Sequence, residues 1–303
     1  MAHVKGRLGA PRAARIVFTV LAGLGFLGAW PAHAQNYQVL LYFTGQPVGT
    51  PSGISYGKDS GRNVIFGVAG GGNTNCPYAV TCGIVFELDK SGKQTVLYSF
   101  TGPPDDGDIP TGPLVQDSRG NIYGTTWQGG SGPCALGNPR TVIGCGTVFR
   151  LTAPRVKGEA WTETVLHSFS GGSDGTNPAA IVADHSTGIL YGTTEYGGAN
   201  DAGTVFKLNS AGETVLYSFT GQSDGGQPEG GVVLDPEGNL YGTTYSGGIT
   251  KCGGQGCGTV FEVNSATGAE TVLHAFTGLP GEPEAPGYTP LIRDATGNLY
   301  GVT

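Results

Sequence analysis

Gly238-Asn239-Leu240-Tyr241-Gly242-Thr243-Thr244 is the stretch that decides the fold, because the chain repeats it. It returns as Asn121-Ile122-Tyr123-Gly124-Thr125-Thr126, Leu190-Tyr191-Gly192-Thr193-Thr194 and Asn298-Leu299-Tyr300-Gly301, with a degenerate first copy at Val64-Ile65-Phe66-Gly67. Two further phrases travel with it. A Val-Phe element stands at Val85-Phe86, Val148-Phe149, Val205-Phe206 and Val260-Phe261. A Val-Leu element stands at Val39-Leu40, Val96-Leu97, Val165-Leu166, Val215-Leu216 and Val272-Leu273. Self-similarity at a period of roughly fifty residues is the mark of a repeat architecture.

Each copy reads as four short strands. Strand a is an apolar run such as Val232-Val233-Leu234, strand b is the Tyr-Gly phrase, strand c holds Val-Phe, and strand d holds Val-Leu-Tyr-Ser-Phe. All are rich in β-branched and aromatic residues with period-two alternation. Between a and b, Asp235-Pro236-Glu237-Gly238-Asn239 carries hairpin chemistry: Asp caps the turn, Pro presets φ, and Gly takes the left-handed position. Four antiparallel strands per unit predict an all-β fold, a β-propeller of four-stranded blades. The alternative is an open β-repeat array. Four whole copies plus an incomplete one give about five blades, the closing one built from Val39 to Phe43 and an a–b hairpin over 290–303. Because the chain stops inside strand b, the sequence predicts the front part of a longer protein.

Residues 1–34 read as a secretory signal peptide, leaving a repeat domain over 35–303. Lys5, Arg7, Arg12 and Arg15 precede an apolar run from Ile16 to Ala29, and Ala32-His33-Ala34 is a small-x-small cleavage site. The apolar run is short for a membrane span, so no membrane insertion is expected after cleavage. Removing these four cations and no acid takes the net charge from −7 to −11. Such a surface repels phosphate backbones, which excludes nucleic acid as a partner. The 56 glycines among 303 residues read as turns, not disorder, because aromatic and branched residues recur regularly between them.

The phrases Gly-Asn-Leu-Tyr-Gly-Thr-Thr, Gly-Thr-Val-Phe and Val-Leu-Tyr-Ser-Phe-Thr-Gly resemble the GloVer tandem repeat of the choice-of-anchor tandem repeat GloVer-containing proteins. The resemblance spans residues 39 to 303. It implies an exported bacterial protein, often with a C-terminal sorting anchor, and implies no activity, so it transfers no functional residue. The sequence departs from that pattern in showing no such anchor.

Cys76 and Cys82, Cys134 and Cys145, and Cys252 and Cys257 fall in pairs in the b–c loops of the first, second and fourth copies, while the third copy has a short loop and no Cys. Pairing loop by loop in an exported chain predicts three local disulfides. Zinc is the rival, but no His lies near the pairs. Each closes a small loop and adds roughly 2–3 kcal/mol at most.

In a meander the b–c and d–a loops share one face. These loops are long and variable, so ligand binding is expected there. Directly after Thr-Thr stand Trp127, Glu195 with Tyr196, and Tyr245, which offer stacking surfaces and hydrogen bonds to sugars; covering neighbouring loops is the plainer role. In the d–a loops Asp105, Asp106, Asp108, Asp174 and Asp224 offer oxygen ligands to Ca2+, but Asp-Gly is an ordinary turn pair and the turn is preferred. Otherwise no cofactor is expected. His167 and His274 occupy the place of Tyr98 and Tyr217, and no Ser/His/Asp set, metal triad or phosphate loop is present. Glu195 with Asp201 is the acidic pair that breaks the repeat.

The expected protein is therefore a non-catalytic scaffold, extracellular, on the cell surface or periplasmic, that binds glycan or protein partners through its disulfide-loop face. A polysaccharide hydrolase or lyase of propeller type, and a structural surface repeat without a ligand, are the alternatives.

Overall fold

The computed structural model describes residues 2–3, 16–20, 51–71, 76, 82–135, 142–156, 158–249, 252, 254–279, 286 and 290–302. Among them every regular element is a β-strand. After β1 (Ala2–His3) and β2 (Ile16–Val20), the first blade comprises β3 (Pro51–Asp59), β4 (Arg62–Ala69), β5 (Ile84–Leu88) and β6 (Gln94–Ser99). The second comprises β7 (Gly107–Gln116), β8 (Ile122–Gly129), β9 (Thr147–Thr152) and β10 (Thr162–Ser168). The third holds β11 (Thr176–Asp184), β12 (Ile189–Tyr196), β13 (Thr204–Asn209) and β14 (Gly212–Ser218). The fourth holds β15 (Val232–Leu234), β16 (Asn239–Thr244), β17 (Thr259–Asn264) and β18 (Glu270–Ala275), and β19 (Ile292–Arg293) and β20 (Leu299–Gly301) follow. Each blade is an antiparallel meander in sequence order, as expected of a propeller.

The closing sheet differs from the expectation. Its order is β1-β2-β20-β19, with β2 parallel to β20. The strand beside β20 thus comes from within the expected leader, whose Ile16-Val17-Phe18-Thr19-Val20 is itself a β-forming run. Val39 to Phe43 lies outside the described residues.

The repeated residues have specific jobs. In each Tyr-Gly phrase the Gly pairs with the Phe of strand c: Gly67 with Phe86, Gly124 with Phe149, Gly192 with Phe206, Gly242 with Phe261. The ring lies over the Gly, so a Cβ there would fall inside 3.0 Å of ring carbons. A β-bulge separates strands c and d at the same register in all four blades. Beyond it, the Phe ending strand d reaches the next blade's strand-c Phe, edge to face. Centroids lie 5.1 Å apart for Phe100–Phe149, 5.2 Å for Phe169–Phe206 and 5.0 Å for Phe219–Phe261. The core is consequently interfacial: one buried cluster joins Val64, Phe66 and Phe100 of the first blade to Leu114, Ile122 and Phe149 of the second.

Thr-Thr divides its labour by strand alternation. Thr125 donates to Ala179 O in the next blade's strand a at 2.8 Å, and Thr193 to Pro228 O, just ahead of the next blade's strand a, at 2.7 Å. Thr126, Thr194 and Thr244 bond to Thr147, Thr204 and Thr259 of strand c at 2.8–2.9 Å. Hairpin aspartates reach past their turns. Asp117, Asp235 and Asp294 accept the backbone N–H of Asn121, Asn239 and Asn298, and also the hydroxyls of Tyr123, Tyr241 and Tyr300 at 3.0–3.1 Å. Strand a lies innermost, and neighbouring a strands touch around the axis: Ser52 Oγ donates to Pro110 O at 2.7 Å, and Leu114 N to Ser55 Oγ at 2.7 Å.

Candidate functional site

At the start of strand a or just ahead of it, each whole blade after the first puts a residue before its proline into the left-handed region: Ile109 at φ 55°, Asn177 at 55° and Gln227 at 56°. Their N–H groups donate to the preceding blade's b–c loop, at Cys82 O, Cys145 O and Ala202 O. This ring of turns frames a cavity of about 560 Å3 on the axis, opening on the disulfide-loop face. Ile54, Ile109, Pro113, Pro178, Ala179 and Ala180 make it largely apolar. Apolar walls with a few convergent polar groups characterise small-molecule sites.

Those polar groups meet at one side. Trp127 Nε1 donates to Glu195 Oε2 at 3.0 Å across the second and third blades, and Asn177 Nδ2 donates to Trp127 O at 2.9 Å. Glu229 enters from the fourth blade. Its carboxyl is pushed up to about 7, first by burial and then by the Glu195 charge, and Oε2 has no hydrogen-bond partner among the described residues. Tyr196 is raised to about 12 by burial and its hydrogen bond with Glu195. The site therefore sets Glu195, held by the Trp127 indole N–H, beside a second carboxyl, Glu229, that burial and this neighbour push up.

Of the residues singled out by sequence, Trp127 and Glu195 line the cavity and Tyr196 adjoins them. Tyr245 is 40% exposed and does not line it. Asp201 is not the partner of Glu195: it turns back to accept Gly197 N at 2.9 Å, and Glu229 takes that role. Aligning the copies on the proline shows Ser52, Thr111, Ala179 and Glu229 at one place, with a charge only in the fourth blade. That contrast was the available signal for Glu229.

The d–a aspartates do not come together. Asp106 accepts Tyr98 Oη at 2.9 Å, Thr101 N at 2.8 Å and Gly107 N at 2.7 Å. Asp224 accepts Tyr217 Oη at 2.9 Å and Thr220 N at 2.8 Å, and also bonds Thr220 Oγ1. Asp174 accepts Ser170 N at 2.8 Å, bonds Ser170 Oγ, and lies 3.4 Å from His167 Nε2. Each closes its own turn, with His167 standing where the tyrosines stand. Asp105 is exposed, and Asp108 is buried beside Cys76 and Cys82.

Left-handed backbone suits Asn far better than a β-branched residue. Ile109→Asn, the residue of the third blade at that place, is expected to raise stability by about 1 kcal/mol, read as a higher calorimetric melting temperature.

The model of the Gloeobacter/Verrucomicrobia repeat matches residues 137–303, more than half of the chain. The chain belongs to the Gloeobacter/Verrucomicrobia repeat family. Within this family match lie the Tyr-Gly, Val-Phe and Val-Leu phrases of the third and fourth blades, whose residues build the interfaces described above. No curated protein matches the chain. Among solved structures, a putative gluconolactonase superposes with a TM-score of 0.45 at 15% identity, covering 84% of this chain and 75% of that one. A PL25 ulvan lyase gives 0.43 at 12%, covering 83% and 64%. The catalytic domain of a Coprinopsis cinerea GH62 α-L-arabinofuranosidase gives 0.44 at 9%, covering 86% and 84%.

Three disulfides, Cys76–Cys82, Cys134–Cys145 and Cys252–Cys257, form loop by loop as expected, with Cα separations of 5.5, 5.1 and 5.1 Å. Such bonds belong to proteins that fold in an oxidising compartment. No helix among the described residues is long and apolar enough to cross a membrane.

Proposed function

We propose that this family member is an exported, non-catalytic scaffold that binds a glycan at the mouth of its central cavity. The observation that carries the reading is the junction of Trp127 with Glu195, Asn177 and Glu229, residues that break the repeat exactly where three blades meet an apolar cavity. An indole offers a stacking face, and carboxylates accept hydrogen bonds from hydroxyls. With two carboxyls at the mouth and an acidic chain around them, the site favours neutral or amino sugars and repels uronic or sulfated ones.

A glycan array on the purified protein tests this. Retention of neutral or amino glycans, lost by tenfold or more in Trp127→Ala, supports the reading. Retention only of anionic glycans, or binding indifferent to Trp127, overturns it.

One observation favours a second reading, a polysaccharide-cleaving enzyme: Glu229, raised to about 7 by burial and then by the Glu195 charge, stands beside a second carboxyl at the cavity, as a general acid does. Release of new reducing ends from a bound glycan, abolished in Glu229→Gln, would replace the scaffold reading with this one.

A further inference from the structure

Asp108 is a buried acid that the cavity does not use. It is 5% exposed, and its Oδ1 has no hydrogen-bond partner among the described residues. Its carboxylate oxygen and the sulfurs of Cys76 and Cys82 all lie within 4.8 Å of one another. The copies give this position a meaning. Between the Gly that follows the d–a aspartate or turn and the left-handed residue stand Asp108, Thr176 and Gly226. Thr176 faces the second disulfide, its Oγ1 3.6 Å from Cys134 Sγ, and Gly226 follows the blade that has no disulfide. The place that looks onto a disulfide therefore carries a hydroxyl in one copy and a carboxyl in another.

We propose that Cys76–Cys82 is an exchange-active disulfide and that Asp108 is the group that gives and retrieves its proton. Cys82 is fully buried and Cys76 half-buried, so an incoming thiolate reaches Cys76. A thiolate of an external dithiol attacks Cys76 Sγ, the S–S bond breaks, and Cys82 leaves with the electron pair. Asp108 passes its proton to the Cys82 sulfur. The dithiol's second thiol loses its proton to solvent and attacks the dithiol-side sulfur of the mixed disulfide. Cys76 leaves with the electron pair and takes a proton from solvent, so the external pair is oxidised and the protein pair reduced by two electrons. In reverse, Asp108 takes the Cys82 proton and generates the thiolate that is the nucleophile. Burial, and then the charge of Asp106, raise the Asp108 carboxyl to about 6, against a hydrogen bond from Ile109 N. A carboxyl so placed exchanges protons near neutrality. An S–H in the reduced state also supplies the donor that Oδ1 lacks in the oxidised one.

The test is graded reduction of the full-length protein with dithiothreitol, quenched by alkylation and mapped by mass spectrometry. Cys76–Cys82 is expected to open about tenfold or more faster than either other disulfide. Asp108→Thr, the residue of the next copy, should slow it about tenfold and leave the other two unchanged. Corrected for reductant thiolate, the wild-type rate should inflect near pH 6, and Asp108→Asn should remove that inflection. Equal opening of all three bonds, or an unchanged rate and pH profile in Asp108→Asn, would overturn the proposal. The isosteric Asn variant keeps the test decisive if Asp108→Thr fails to fold.

Discussion

Phe219→Ala is expected to lower the unfolding free energy by about 3–5 kcal/mol, the range for removing a fully buried aromatic ring. Phe219 is 0% exposed. Its ring meets Phe261 of the next blade at 5.0 Å and its own blade's Tyr217 at 5.1 Å, both edge to face. Phe261 is held from below by Gly242, which leaves no room for a Cβ. The cavity left by truncation is therefore walled by residues that have no other position to take, and little relaxation is available. The loss falls on the interface, so Phe219→Ala and Phe261→Ala should be non-additive, with a coupling of about 1 kcal/mol or more. Tyr245→Ala, at an exposed ring, should change stability by less than about 0.5 kcal/mol. Urea unfolding of the wild type, the two single Phe variants, their double variant and Tyr245→Ala reads all three numbers.

Raising the pH from 5 to 8 should destabilise the protein, the second large effect. Glu163, Glu213 and Glu270 occupy one register on the outermost strands, each with a buried Oε1 that has no hydrogen-bond partner among the described residues. Each is pushed up to about 7, first by burial and then by the turn aspartate of the preceding junction: Asp106, Asp174 and Asp224 respectively. A carboxyl whose folded pKa exceeds its unfolded one favours the protonated native state. Its contribution is complete below about pH 4.5 and is lost as pH rises through about 7. Full burial would make such shifts worth about 3 kcal/mol each; these groups are only half-buried, so solvent screening reduces them to about 1 kcal/mol each, or about 3 together. Asp184 acts oppositely. Hydrogen bonds from Ser186 and Thr187 lower it to about 2, so its contribution is present above about pH 4 and lost only in stronger acid. Thermal melting across pH should peak near pH 5. The triple variant Glu163→Gln, Glu213→Gln, Glu270→Gln should flatten the alkaline limb.

The strands and blades were legible because the code for them is local and repeated. Tyr-Gly marks strand b because Gly is what the facing Phe requires, and Asp before the Gly-Asn turn marks the hairpin because it binds both turn and tyrosine. Disulfide pairing was legible for the same reason. The cavity was less so. Trp127 and Glu195 could be picked as residues that differ between copies, yet their bond spans 68 positions and depends on two blades lying side by side. Glu229 lies in the turn just before strand a of the fourth blade, and only the packing of blade on blade brings it to Glu195. Asp201 looked like a partner because it is near in sequence, but the left-handed turn at φ 55° aims it at Gly197. Asp108 likewise acquires its meaning only across a blade boundary, from a disulfide in the copy before its own.

A bound sugar is expected to sit over Trp127 in the axial cavity. The most direct measurement is the emission of Trp127 alone, in a chain whose other two tryptophans, Trp30 and Trp161, are replaced by phenylalanine. Titration with a neutral or amino oligosaccharide retained on the array should change that emission and saturate, at the same dissociation constant that calorimetry gives. Calorimetric binding that leaves Trp127 emission flat would place the ligand elsewhere and contradict the account.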